Sequence, residues 1–202
     1  MQLKFTILTG VAAPYLESNV STNIISVQKA HVASGAEAEI TSKDLFAGLR
    51  FDKEGNEIEK FILNKPVFRN AKFLISGTNF GCGSSRDAAV HAITAFGIRC
   101  VIATSFGDIF FNNCFKNGVL PIVLNETDII SIAKEAEGGG SFEASLVKNK
   151  LYSPSGLQFA IDIPEFRRQQ LLQGIDEIDL MLNEERAIAT FFAERKLARP
   201  WI

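Results

Sequence analysis

Phe73-Leu74-Ile75-Ser76-Gly77-Thr78-Asn79-Phe80-Gly81-Cys82-Gly83-Ser84-Ser85-Arg86-Asp87 is the stretch whose reading decides the fold. It opens on an apolar run of strand length, passes through glycines and small polar residues, and ends where a helical pattern begins. That pattern predicts a helix from about Ser85 to Phe96. Ser84 is its expected N-cap, Asp87 stands three residues on as in a capping box, and Gly97 closes it. A second apolar strand is expected over Arg99–Thr104, and a second helix over Asp108–Lys116 that stops at Asn117-Gly118. A third strand is expected over Leu120–Leu124. Strands and helices alternating in this way imply an α/β core.

The flanks read less regularly. Leu3–Leu8 reads as a strand leading into a turn-rich connection, Thr9-Gly10-Val11-Ala12-Ala13-Pro14. Asn19-Val20-Ser21-Thr22-Asn23 supplies short polar side chains, suited to bonding nearby backbone, ahead of Ile24-Ile25. Gln28–Glu59 reads as a long loop with a short helix near Ser42–Leu49 and a tight turn at Phe51–Glu57, and loops of that length are usually functional. Downstream, a helix over Asp128–Glu137 ends at Gly138-Gly139-Gly140. Strands follow near Phe142–Val147 and Leu157–Ile163, then a C-terminal helical segment, 165–202, with helices near Glu165–Leu172 and Glu184–Lys196. In the last helix Ala187, Ile188, Phe191 and Phe192 share one face, a stripe of the kind that packs into a core.

The 202 residues suit one domain spanning 1–202, with 47% hydrophobic and 22% charged residues, as in ordinary globular proteins. A net charge of -2 gives no electrostatic reason to expect nucleic acid as a partner. Apolar runs such as Ile98–Ser105 are too short to cross a bilayer, so no membrane association is expected. Met1–Gly10 lacks a signal-peptide pattern, and the expected location is the cytoplasm. Three cysteines, Cys82, Cys100 and Cys114, could in principle hold an iron–sulfur cluster with one open iron. Their wide spacing, with no Cys-x-x-Cys element, speaks instead for two buried inert thiols and one loop thiol. No cofactor is expected on this chain.

The candidate site is the turn into the helix. Its glycines allow close approach of the backbone to a ligand, and the helix start offers unpaired amides and a positive dipole end, suited to an anion. Arg86 can grip a carboxylate with two parallel hydrogen bonds. A serine oxygen there would be stabilised as an alkoxide by amides, dipole and guanidinium together, a route to a serine base without a histidine. The competing reading is a well-capped helix with a surface arginine. Neither the phosphate loop nor the dinucleotide fingerprint fits, and the Gly-x-Ser-x-Gly elbow of serine hydrolases is absent.

Gly81-Cys82-Gly83-Ser84-Ser85-Arg86, followed by Ser105-Phe106-Gly107-Asp108-Ile109-Phe110-Phe111-Asn112-Asn113-Cys114-Phe115-Lys116-Asn117-Gly118-Val119-Leu120-Pro121-Ile122, resembles the small subunits of bacterial 3-isopropylmalate dehydratases. These match the swivelling domain of the aconitase superfamily. The likeness extends to Thr9-Gly10, Ala13-Pro14, Asn19-Val20-x-Thr22-x-Ile24-Ile25, Asn64-Lys65-Pro66 and Ala198-Arg199-Pro200-Trp201. It implies a swivelling β/β/α-type single domain resembling the aconitase C-terminal domain. It also implies a hydro-lyase of leucine biosynthesis, active only with a large subunit that carries a [4Fe–4S] cluster. The substrate would be a small dicarboxylic acid. Carried over by motif, Ser84 is the catalytic base, and Arg86, Ser85, Gly83, Thr22 and Asn23 contact substrate. The loop over 28–59, in particular Gln28–Leu49, would read the substrate's side group.

The chain departs from the family pattern at two places. Ser21-Thr22-Asn23 stands where Asp-Thr-Asp is usual, and Ser84-Ser85-Arg86-Asp87-Ala88 where Ser-Ser-Arg-Glu-His is usual. His91 lies one helical turn beyond Asp87 and shares its face, while His31 lies in the loop. Two other readings stay open: a paralogous small subunit for another 2-substituted malate, and an inactive subunit that binds or regulates the large one.

Overall fold

The structure is a computed structural model, and it describes residues 4–26, 39–83, 87–175, 185–199 and 201. One seven-stranded sheet runs in the order β4-β3-β2-β1-β5-β6-β7. The strands are β1 (Ile7–Tyr15), β2 (Phe73–Ser76), β3 (Cys100–Ala103), β4 (Leu120–Val123), β5 (Ser141–Ser145), β6 (Lys150–Tyr152) and β7 (Gln158–Ala160). The helices are α1 (Thr22–Ile25), α2 (Ala47–Arg50), α3 (Ala88–Phe96), α4 (Asp108–Lys116), α5 (Glu126–Glu137), α6 (Glu165–Gln173) and α7 (Glu185–Ala198). β1 to β4 are mutually parallel, and β5 to β7 continue the sheet antiparallel.

The parallel half is apolar on both faces, which is why its strands read as unbroken hydrophobic runs. Phe73, Ile75, Cys100 and Ile102 point into one core, closed by Ile129, Ile132 and Ala136 of α5. Leu74, Val101 and Ala103 point into the other, closed by Ala89, Val90, Ala92 and Ile93 of α3. Each fully buried Leu, Ile or Phe contributes roughly 1.5–3 kcal/mol. The antiparallel half is covered on one face only. Phe142, Ala144 and Leu151 face the core, while Lys150, Gln158 and Ala160 are exposed.

Four expectations need correction. The first strand runs through the stretch read as a turn. Its first half, Ile7–Val11, pairs with β5 and its second half, Ala12–Tyr15, with β2. Pro14 lies beyond the β5 ladder, so its missing N–H is not required on that side. Between the two strands expected after α5 a third, β6, is present, too short and too polar to signal itself. The loop helix begins only at Ala47, because Phe46 takes a left-handed φ of 50° that interrupts any helix from Ser42. Finally, the stripe on the last helix is not core. Ile188, Phe191 and Phe192 are exposed and no side chain of α7 is buried, the two cores being filled by α3, α4, α5 and α6 without it.

Helix α3 is closed by Gly97 at φ 104°, as expected, but its described ladder opens with the His91 N–H donating to the Asp87 carbonyl at 2.9 Å. Asp87 takes helical φ and ψ of -64° and -13°, and its side chain makes no cap bond. The other half of the expected box, Ser84, lies outside the described residues.

The described part of the long loop is held by a buried arginine. Arg50 donates to Asn64 Oδ1 at 3.0 Å and to the Ser42 carbonyl at 2.7 Å, and its guanidinium lies 5.0 Å from the ring centroids of both Phe51 and Phe96. Asn64 in turn donates to the carbonyls of Arg50 and Ile58. Removing one partner strands the buried acceptors of the others. Arg50→Ala is accordingly expected to lower unfolding free energy by about 2–4 kcal/mol in urea titrations. Arg69→Ala, which breaks the surface pair with Glu57, should barely move the midpoint. Equal losses for the two variants would count against a buried strut.

Candidate active site

The parallel strands β1, β2 and β3 end at one edge, and the chain leaves each of them through a short crossover: residues 16–22, 77–83 and 104–107. Ligands of open α/β sheets bind at this carboxyl edge. Backbone pairing continues past the strand ends. The Gly81 N–H donates to the Val20 carbonyl at 2.8 Å and the Thr22 N–H to the Cys82 carbonyl at 2.9 Å. On the other side the Phe80 N–H donates to the Ser105 carbonyl at 3.0 Å and the Gly107 N–H to the Phe80 carbonyl at 2.9 Å. The glycine loop is thus the middle strip of three.

Two glycines are required by contact. A Cβ on Gly107 would lie 2.6 Å from the Gly81 carbonyl oxygen. A Cβ on Gly81, at φ 75°, would overlap the Phe110 ring. Beneath the loop Phe80 is fully buried and packs edge-on against Phe106 and Phe110, with centroids 6.4 and 5.4 Å away. An apolar floor therefore supports the glycine loop.

Of the residues expected at the site, Gly83 and Thr22 are brought together. Gly83 is exposed at φ 94°, and a Cβ there would sit 3.8 Å from Thr22 Oγ1. Asn23 is exposed on the first turn of α1 next to Thr22. Ser84, Ser85 and Arg86 follow Gly83 directly and lie outside the described residues, as does His31. Asp87 and His91 are both exposed, one turn apart on α3.

Sequence reading passed over the polar residues that hold the loop. Asn19 and Asn79 both take left-handed φ, 56° and 57°. The Ser105 hydroxyl accepts from the Asn79 N–H at 2.8 Å, and the Thr78 and Thr104 hydroxyls pair at 2.8 Å. The available signal was the asparagine type itself, which tolerates left-handed backbone better than other residues with side chains.

The thiols are distributed as expected: Cys100 and Cys114 are buried and Cys82 is half-buried beside Gly83. Burial pushes both the Cys100 and Cys114 thiols well above their usual range. These thiols do not fit an iron–sulfur cluster, since two of the three are enclosed in separate apolar cores. Among the described residues no group of three or more His, Cys, Asp or Glu could hold a metal ion. No helix among them is long and apolar enough to cross a membrane.

Residues 2–127 match the family model of the aconitase C-terminal domain. The chain belongs to that family. It is 46% identical over 201 residues to the 3-isopropylmalate dehydratase small subunit of Jannaschia sp., covering 98% of this chain and 99% of that one. It is 44% identical over 200 residues to the protein of the same name from Brucella anthropi, covering 98% of each. The crystal structure of a 3-isopropylmalate dehydratase from Methanocaldococcus jannaschii superposes with a TM-score of 0.62 at 24% identity. The match covers 91% of this chain and 98% of that one, and supports the fold.

Cys82 is expected to be the one thiol of the three that reacts promptly with a disulfide reagent in the native protein, because the thiolate is the nucleophile and burial suppresses it at the other two. Titration should give one fast thiol per chain at neutral pH and all three in denaturant. Fast native reaction of two or three would contradict the burial described here.

Proposed function

We propose that this chain is the small subunit of a 3-isopropylmalate dehydratase. The reaction interconverts 2-isopropylmalate and 3-isopropylmalate by dehydration and rehydration. The observation that carries the proposal is the glycine loop at the carboxyl edge of the parallel sheet, with Gly83 against Thr22 and the Ser-Ser-Arg motif directly after it. Near-full-length identity to proteins named as that subunit gives it the substrate class.

In this reading Ser84 removes the proton α to a substrate carboxylate. Alkoxide at a serine next to a helix start and a guanidinium is stabilised by dipole and charge. Arg86 grips a carboxylate through two parallel hydrogen bonds, which fixes the carbon acid against the base. Ser85, Gly83, Thr22 and Asn23 complete the substrate surface with hydroxyl, backbone and amide groups. The hydroxyl leaves the neighbouring carbon as water and a carbon–carbon double bond forms; re-protonation at that neighbouring carbon, with water added to the first, completes the isomerisation.

The partner of this reading is a large aconitase-like subunit. The [4Fe–4S] cluster belongs to that subunit, in keeping with the burial of Cys100 and Cys114. A chain completed by another also accounts for apolar side chains on α7 left in water. A second reading, another 2-substituted malate, is favoured by Ser21, Asn23 and Ala88, which replace two carboxylates and a ring around the loop.

Three expected outcomes follow for the complex reconstituted anaerobically with its large subunit. Ser84→Ala lowers kcat by several orders of magnitude with a much smaller change in KM, as loss of a transition-state group requires. Arg86→Lys mainly raises KM, because a point charge cannot reproduce a two-pronged contact. Turnover by the isolated chain, or near-normal turnover by Ser84→Ala, would refute the assignment. Asn23→Asp together with Ala88→His should shift rate or preference across a panel of 2-substituted malates by about tenfold to a hundredfold, the scale of one or two strengthened polar contacts. An inert wild-type complex that gains activity only on this reversion would mark a degenerate subunit.

A further inference from the structure

The proposed chemistry lies directly after Gly83, a point that has to be aligned with Thr22. The two segments meet through two backbone bonds at Val20–Gly81 and Thr22–Cys82. Just upstream of these bonds the Asn79 side-chain amide donates to Asn19 Oδ1 at 2.8 Å. The Asn19 N–H donates to the Thr78 carbonyl at 2.8 Å, and the Asn79 N–H to Ser105 Oγ at 2.8 Å. The pair thus ties all three crossovers at one point. Both asparagines sit in left-handed backbone, where glycine would be the ordinary choice. Glycine would meet the backbone requirement alone; asparagine adds a bond between segments that are distant in sequence.

We propose that Asn19 and Asn79 form a latch that positions the glycine loop against the Thr22 segment, making both of them positioning residues for the reaction at Ser84 and Arg86. The proposal rests on the functional reading above. The latch lies in water, Asn19 being exposed and Asn79 half-buried, so it adds little to global stability. Its effect is on alignment, where displacements of about 1 Å cost up to about a hundredfold in rate. A purely structural pair would show the reverse, with stability and rate falling together.

The test uses the full chain assembled with its large subunit, with Asn19→Gly, Asn79→Gly and the double variant. Glycine keeps the left-handed backbone and removes only the side-chain bond. With 3-isopropylmalate as substrate each single variant should lose about tenfold in kcat, and the double variant should lose no more than either single, since one bond is broken once. The unfolding midpoint should stay near that of the wild type. Hydrogen exchange in peptides covering 19–26 and 77–83 should quicken in all three. Wild-type kcat in either single variant, additive losses in the double, or a rate loss that tracks a fall in midpoint would overturn the latch. Failure of the functional reading is seen separately, as near-normal turnover by Ser84→Ala. In that event the exchange arm still decides, unchanged exchange overturning the latch and quickened exchange supporting it.

Discussion

The site depends on one close approach of backbone to backbone. Gly107 stands against the Gly81 carbonyl with no room for even a Cβ, and Gly81 stands on the Phe110 ring. With any side chain at either position the crossovers after β2 and β3 would have to separate, and the bonds from Phe80 to Ser105 and Gly107 would open. Because the 16–22 crossover bonds to the far side of the same loop, its position follows from this contact as well. The three crossovers therefore form one layer, with Phe80, Phe106 and Phe110 packed together beneath it.

This layering explains how a small α/β chain can present a polar site without enclosing it. The sheet and its two cores fix the strand ends, the aromatic floor fixes the loop height, and the polar residues are left at the surface. Gly83 is exposed, as are Asn23 and Asp87.

What was legible in the sequence was whatever a single local pattern determines. β2, β3, β4 and α4 fall where expected, because strands buried on both faces give unbroken apolar runs and Asn117-Gly118 stops the helix with Gly118 at φ 69°. The glycine loop was legible as a turn after β2, but its glycines were read as making room for a ligand, whereas Gly81 stands against the Phe110 ring. β1 was misread because local residues cannot say that one strand changes partners half-way, which is what makes room for Pro14. The stripe of α7 was misread because periodicity reports that a face is apolar and not what lies against it. The polar residues around the loop were missed for a related reason: Asn19 and Asn79 are ordinary turn residues singly, and only their meeting across sixty positions gives them meaning.

The change of partners along β1 bears on how the chain is made. The half from Ala12 to Tyr15 can pair as soon as β2 has been synthesised, and the βαβαβ run from β2 to β4 can then assemble beside it. The half from Ile7 to Val11 must wait for β5, with Ile7 opposite Ser145, so it stays an open sheet edge until most of the chain has emerged. Contacts of such long range slow folding, and an open edge invites pairing with other chains. Synthesis order thus lets the parallel half of the sheet pair before the antiparallel half can close it, and the interval between them is when a nascent chain has most need of protection from its neighbours.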